Sequence, residues 1–194
     1  ESEDMVNYID AASAPLRNTG AIRLYDRQDF EGMRKASQLT ARCLDALVDI
    51  VKPGVTTDAI DRFVLQFGLD HGALPATLNY RGYTKSSCTS INHVVCHGIP
   101  DKKRLIKDGD IINVDITTFY NGFHGDTSAT FYIGVPSPTA RHVTETARRA
   151  LELGIAEVRE GARLGDIGAA IQEFVEAQGC SVVRDFVGHG IGRR

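Results

Sequence analysis

The dipeptide Asn121-Gly122 constrains this 194-residue chain more than any other feature, because it separates two runs rich in β-branched and aromatic residues. Asn-Gly favours a two-residue type I′ hairpin turn, in which both positions need a positive φ. Such a turn pairs Tyr120 with Phe123 and therefore places Asp126 opposite Thr117. The sequence predicts one antiparallel hairpin with a fixed register.

This register brings two carboxylates together. Side chains alternate faces along a strand, so Asp115 and Asp126 are expected on one face as diagonal neighbours, about 7–8 Å apart or somewhat less. Two buried carboxylates are costly without cations, and a pair of metal ions about 3.5–4 Å apart would fit between them. The alternative is an edge hairpin with two solvated aspartates, and a turn one residue longer would separate their faces. We expect His124 to face away from both.

A second pattern is an internal repeat with an offset of 107 residues. One helix is expected at about 30–51 with Asp29 as its cap, and another follows the cap Thr57. Ser137 and Pro138 open a third helix ending near residue 160, and a fourth runs from about 164 to 178. Matching positions at this offset are Leu44 and Leu151, Val51 and Val158, Gly54 and Gly161, Ile60 and Ile167, Val64 and Ile171, Phe67 and Phe174, and Gly72 and Gly179.

The repeat predicts a duplicated α+β unit, although two amphipathic helix pairs can also match by chance. The first unit continues through its hairpin to about residue 135. On the same spacing, the second unit is expected to need final strands that would follow Arg194.

Composition excludes several classes of protein. The chain is 42% hydrophobic with a net charge of −3, which is typical of a globular domain and gives no basic surface for nucleic acid. No segment has the pattern of a membrane span or a signal peptide. Four cysteines without C-x-x-C spacing indicate free thiols and a cytoplasmic location. Residues 1–25 are predicted to be a flexible arm, and residues 26–194 a single domain.

Two histidines lie in glycine-rich segments. His97 precedes Gly98 at the end of an apolar run, and His189 lies between Gly188 and Gly190. Glycine lets an imidazole approach a ligand closely, and imidazole binds several divalent metals. A simple turn histidine is the alternative for each. Tyr80 and Tyr83 are candidates for an apolar subsite, with ordinary packing as the alternative reading.

Five segments in order resemble the type I methionine aminopeptidases of metallopeptidase family M24: Asn79–Cys88, Ser90–Pro100, Asp108–Asp115, Gly122–Ser128 and Gly188–Arg193. The resemblance covers roughly residues 28–194. It implies the duplicated α+β fold called pita-bread, in which two helix pairs cover a curved antiparallel sheet. Here the last strands of that fold are expected to be missing.

The resemblance also implies roles for individual residues. Asp115 would bind one metal ion, Asp126 would bridge two, and His189 would bind the other. His97 would contact the substrate near the scissile peptide bond. The walls of the methionine pocket would be Tyr80, Tyr83, Cys88 and Thr77. Carbonyl groups of Asn92 and Val94 would help to hold a structural monovalent cation, and the family's second histidine and two glutamate ligands would follow Arg194.

The implied activity is hydrolytic removal of the N-terminal methionine, with two divalent ions that could be Co, Mn, Fe or Zn. The implied substrates are nascent chains at the ribosome with a small second residue, and the implied state is a monomer. One alternative is a prolidase or aminopeptidase P on the same fold, although those enzymes usually carry an additional N-terminal domain. Another is a catalytically incomplete fragment, or a module that binds a peptide or a protein partner.

Overall fold

A computed structural model describes residues 8–10, 22–186 and 188–193. Its strands are β1 (Tyr8–Asp10), β2 (Ile22–Leu24), β3 (Leu74–Pro75), β4 (Cys88–Ile91), β5 (Ile111–Tyr120) and β6 (Phe123–Tyr132). Its α-helices are α1 (Arg27–Leu47), α2 (Thr57–Asp70), α3 (Pro138–Ala156) and α4 (Leu164–Ala177). A short 3-10 turn at Tyr80–Gly82 lies between β3 and β4.

The predicted hairpin forms the centre of a four-stranded antiparallel sheet. β6 pairs with one edge of β5, while β3 and β4 pair in turn with the other edge. Tyr120 pairs with Phe123 and Thr117 with Asp126, so the predicted register is confirmed. Asn121 and Gly122 have φ values of 49° and 83°, as a type I′ turn requires.

One face of this sheet packs on α1 and α2. Burial alternates strictly along the first eight residues of β5, with Ile112, Val114 and Ile116 fully buried against this helix pair. The helices contribute Leu44, Leu47, Ile60 and Val64 to the same core. Odd-numbered positions of β5 therefore face away from the core, and Asp115 is one of them.

The two helix pairs agree with the predicted duplication. Shifting the bounds of α2 by 107 positions gives those of α4. The glycines directly after the C-caps of α2 and α4 also adopt the same left-handed conformation: φ is 71° at Gly72 and 73° at Gly179. Only glycine adopts this conformation after a helix at low energetic cost, so the repeat includes the glycines that end its helices.

The helix starts needed correction. Asp26, not Asp29, caps α1, because Asp26 accepts the amide hydrogens of Gln28 and Asp29 while the Asp29 carboxylate accepts from the Asp26 amide. Thr56 rather than Thr57 caps α2. Helix α1 also ends at Leu47 and not at the predicted residue 51, and Val48, just after its end, is 62% exposed.

The start of α3 is confirmed, with Ser137 as cap and Pro138 as first residue. Most of the predicted arm, residues 1–25, lies outside the described residues; its described parts, β1 and β2, pair as parallel strands. Its flexibility and the domain bounds stay predictions. Among the described helices, none combines the length and the apolar character that crossing a membrane would need.

Candidate functional site

The sheet face turned away from the core carries both predicted carboxylates. Asp115 on β5 lies directly opposite Cys88 on β4 and Ser128 on β6. Asp126 on β6 lies directly opposite Thr117. Since directly opposed residues share a face, all five side chains line one surface of the sheet.

The charge environment of Asp115 is unfavourable for an ionised carboxylate without a cation. Burial raises the pKa of Asp115, and the neighbouring Asp126 carboxylate raises it further. His97 and His189 act in the opposite direction on the same pKa, which places both histidines within electrostatic range of Asp115. The predicted carboxylate pair and the two histidines, which lie in separate segments of the sequence, are therefore brought into one neighbourhood.

His189 reaches this neighbourhood from the segment that follows α4. Its Nε2 atom lies 3.6 Å from Oδ2 of Asp126, and its Nδ1 atom lies 3.2 Å from the carbonyl oxygen of Gly190. A proton on Nδ1, donated to that carbonyl, leaves the Nε2 lone pair towards the carboxylate. Thr117 donates a hydrogen bond of 3.1 Å to the other oxygen, Oδ1, and so fixes the Asp126 carboxylate.

His97 lies in a loop that folds back on β4. Thr89 donates its amide hydrogen to the Gly98 carbonyl at 2.7 Å, and the Gly98 amide donates to Oγ of Ser90 at 3.1 Å. A Cβ at position 98 would lie 2.1 Å from the Thr89 carbonyl oxygen, so only glycine permits this approach. The imidazole of His97 also packs edge-on against Phe186, with ring centres 5.2 Å apart.

Of the predicted pocket residues, Tyr83 and Cys88 lie together. The Tyr83 hydroxyl donates to the Ser87 carbonyl at 2.8 Å and lies 3.5 Å from Sγ of Cys88. Burial raises the pKa of both groups, so they are a neutral phenol and a neutral thiol beside Asp115. Thr77 instead donates to the Lys85 carbonyl at 3.0 Å, which ties the loop together, and Tyr80 is 63% exposed.

Sequence reasoning missed the residues that hold this loop. Oδ1 of Asp61, on α2, accepts hydrogen bonds from the Ser86 amide at 2.8 Å and from the Ser87 amide and hydroxyl, both at 2.9 Å. Asp58, one turn earlier, forms an ion pair with Lys85 at 2.5 Å. Both aspartates are visible in the sequence at the start of a helix, but nothing local indicates their partners some 25 residues away.

The prediction for His124 was wrong. His124 and Asp126 are two residues apart on β6, and period-two alternation therefore puts them on the same face. The imidazole packs against Phe119 with ring centres 4.9 Å apart, and Nδ1 lies 3.1 Å from the Gly192 carbonyl oxygen. The Gly192 carbonyl also accepts the His124 amide hydrogen at 2.7 Å.

The donor set fits a divalent metal ion in its chemistry. Carboxylate oxygens and a neutral imidazole nitrogen suit Mn, Fe, Co and Zn, and a cation would relieve the repulsion that raises the pKa of Asp115. Within residues 22–186 and 188–193, however, no three His, Cys, Asp or Glu side chains converge closely enough to hold a metal ion. Two of the predicted ligands, Asp126 and His189, lie 3.6 Å apart.

Comparisons with known proteins show the family to which the chain belongs. The family model of metallopeptidase family M24 matches residues 31–194. The chain is 52% identical both to methionine aminopeptidase A and to methionine aminopeptidase B of Synechocystis sp.. These alignments cover 89% and 93% of this chain and 68% and 67% of the relatives, so the chain spans about two thirds of their length.

Solved structures give the same result. The crystal structure of methionine aminopeptidase from Rickettsia prowazekii superposes with a TM-score of 0.87 at 48% identity, covering 89% of this chain and 69% of that one. An Xaa-Pro dipeptidase from Bacillus anthracis superposes at 0.73 with only 17% identity, covering 89% of this chain and 51% of that one, which shows a shared fold alone. The predicted α+β pita-bread fold is thus confirmed.

Proposed function

Since the chain belongs to the methionine aminopeptidases of metallopeptidase family M24, we propose that it removes the N-terminal methionine from peptides by metal-dependent hydrolysis. The observation that supports this most is the shared sheet face on which Asp115 and Asp126 lie beside His189. The prolidase and aminopeptidase P alternatives have less support, because relatives of those types are only 16–19% identical.

The metal ligands we propose are Asp115, Asp126 and His189, which would hold two divalent ions of Co, Mn, Fe or Zn. Divalent ions held there would supply Lewis acidity, which lowers the pKa of water and polarises a peptide carbonyl. The protein's own contribution is orientation: Thr117 fixes the Asp126 carboxylate, and the Gly190 carbonyl selects the His189 tautomer. We also propose a monovalent cation at the carbonyls of Asn92 and Val94.

The methionine side chain would lie against Tyr83 and Cys88. Both groups are neutral, partly or fully buried and next to Asp115, which suits an unbranched thioether. We propose Tyr80 and Thr77 as the outer wall of this pocket and His97 as the group that contacts the scissile peptide. A tight next subsite would favour substrates with a small second residue.

We place the activity in the cytoplasm, on nascent chains at the ribosome, with a monomeric protein that does not recognise nucleic acid. The domain would comprise residues 26–194, with residues 1–25 as an arm. These assignments rest on composition and resemblance and extend the proposal to its cellular setting.

A peptide-binding module without catalysis is the second candidate. It is favoured by the lack of three converging metal-ligating side chains among the described residues. Release of free methionine from the peptide Met-Ala-Ser, measured with Co(II) or Mn(II) and again with a chelator, separates the two candidates. Metal-dependent release that Asp126→Asn abolishes supports the aminopeptidase. Folded protein that binds Co(II) and the peptide but releases no methionine supports the binding module.

A further inference from the structure

His189 is carried by a segment whose position depends on a distant ion pair. Arg193, four residues later, donates from Nε and from a terminal nitrogen to Oδ1 of Asp29 at 3.2 and 2.7 Å. Asp29 lies in the first turn of α1 and is only 6% exposed. The guanidinium also lies 4.2 Å from the centre of the Phe123 ring, in the geometry of a cation–π contact.

The same segment is fixed to the hairpin by its backbone. The Gly192 carbonyl accepts from both the amide and Nδ1 of His124, at 2.7 and 3.1 Å. A Cβ at position 192 would lie 2.8 Å from the Tyr25 hydroxyl, so the backbone passes close to that hydroxyl. Three contacts, one with Phe123 and two with His124, therefore fix Gly192 and Arg193 against the start of β6, which also carries Asp126.

The ion pair is electrostatically favourable. The hydrogen bonds from Arg193 are the main cause that lowers the pKa of Asp29, so the carboxylate is charged at neutral pH. Arginine suits this position better than lysine, because its planar guanidinium can donate from two nitrogens and stack on Phe123 at once. This geometry gives neither Asp29 nor Arg193 a role in binding substrate or metal.

We propose that Asp29 and Arg193 are positioning residues that hold His189 within reach of Asp126. Only two residues lie between His189 and the fixed Gly192–Arg193 backbone, whereas the His189 side chain itself is 67% exposed and lies 3.6 Å from Asp126. Without the Arg193 side chain, the segment keeps only the Gly192 contacts and samples positions further from the hairpin. This proposal rests on the proposed function, because it assumes that His189 is a metal ligand.

The test uses Arg193→Ala, with Arg193→Lys as a conservative variant and Arg149→Ala as a matched control. Arg149 is an exposed arginine whose ion pair with Glu152 lies on α3, so its loss changes charge equally without touching the site. The first readout is hydrogen exchange of the His124 amide, which is bonded to Gly192 and so reports whether the segment is docked. The second is Co(II) affinity, with the visible absorption band of bound Co(II) as a spectroscopic signature.

We expect Arg193→Ala to accelerate hydrogen exchange of the His124 amide and to weaken Co(II) binding about tenfold. Losing a residue that supports a metal ligand typically weakens metal binding about 10- to 100-fold, and we expect the lower end of that range. The exchange rate and the Co(II) affinity of Arg193→Lys should fall between those of Arg193→Ala and wild type. Both quantities should be the same in Arg149→Ala as in wild type. If Arg193→Ala does not fold, Asp29→Asn is the second variant, because its side-chain oxygen can still accept the Asp26 amide hydrogen while its charge is removed.

The variant His189→Ala distinguishes failure of the positioning role from failure of the proposed metal site. If it weakens Co(II) binding while Arg193→Ala and Asp29→Asn bind Co(II) as wild type does, the positioning role is refuted and the metal site stands. If His189→Ala itself leaves Co(II) affinity unchanged, His189 is not a ligand, and both the positioning role and the proposed metal site are overturned.

Discussion

Replacing Gly125 by alanine tests how closely α1 packs on the hairpin that carries the candidate site. A Cβ at this position would lie 2.4 Å from Oγ1 of Thr40 and 2.5 Å from the carbonyl oxygen of Ala36, both on α1. Thr40 and Ala36 are fully buried, so neither can move into solvent. The Thr40 hydroxyl is moreover bonded to the Thr118 hydroxyl on β5 at 2.6 Å.

The expected cost follows from these contacts. Overpacking a close-packed contact costs about 1–3 kcal/mol, and losing a buried hydrogen bond adds about 1 kcal/mol. Gly125→Ala should therefore lower the free energy of unfolding by about 2–4 kcal/mol. Urea denaturation followed by far-ultraviolet circular dichroism measures this directly.

Gly168→Ala is the matched control. Gly168 lies within α4 with no atom within 4 Å of the added Cβ, so helix propensity should make this variant more stable by about 0.5–1 kcal/mol. A loss below about 0.5 kcal/mol for Gly125→Ala, the usual effect of a surface substitution, would refute the close contact between α1 and β6.

Three further predictions concern the site. Because burial raises the pKa of Asp115 above its unfolded value, metal-free protein loses stability as pH rises through that pKa. In the presence of a chelator, Asp115→Asn should therefore be more stable than wild type at pH 8 but not at pH 3. Equal urea midpoints of the two proteins at pH 8 would contradict this. Asp61→Ala leaves buried amide hydrogens of the loop before Cys88 without an acceptor, so this loop should loosen. The Cys88 thiol should then react faster with a thiol reagent, as measured by peptide mass spectrometry. An unchanged rate would mean that Asp61 does not hold the loop. Thr117→Val removes the hydrogen bond to Asp126 and should weaken Mn(II) binding about tenfold without shifting the urea midpoint, whereas unchanged affinity in calorimetry would exclude that orienting role.

The hairpin was predictable because its determinants are local. Turn chemistry at Asn121-Gly122 and period-two alternation together define which residues face each other, and both operate within a few residues. Period-two alternation, applied correctly, also places His124 on the same face as Asp126. The wrong prediction for His124 therefore came from assigning it to the wrong face and not from a tertiary effect.

The remaining site geometry was not predictable because its contacts join distant residues. Asp26 and Asp29 are both good helix caps three residues apart, and the Asp29 carboxylate has a second partner in Arg193, 164 residues away. Asp61 similarly looks like an ordinary residue of the first helical turns, while its carboxylate holds the loop before Cys88. No sequence pattern specifies such partners without an alignment or a structure.

The central claim is that Asp115, Asp126 and His189 form a two-metal site, and metal stoichiometry tests it most directly. Co(II) titration by isothermal calorimetry is predicted to show two ions per chain for the wild-type protein, because the Asp126 carboxylate would lie between them. Asp126→Asn should lose the two-ion stoichiometry, since a neutral amide cannot bridge two cations. Two ions bound with unchanged affinity by Asp126→Asn would contradict the proposed centre.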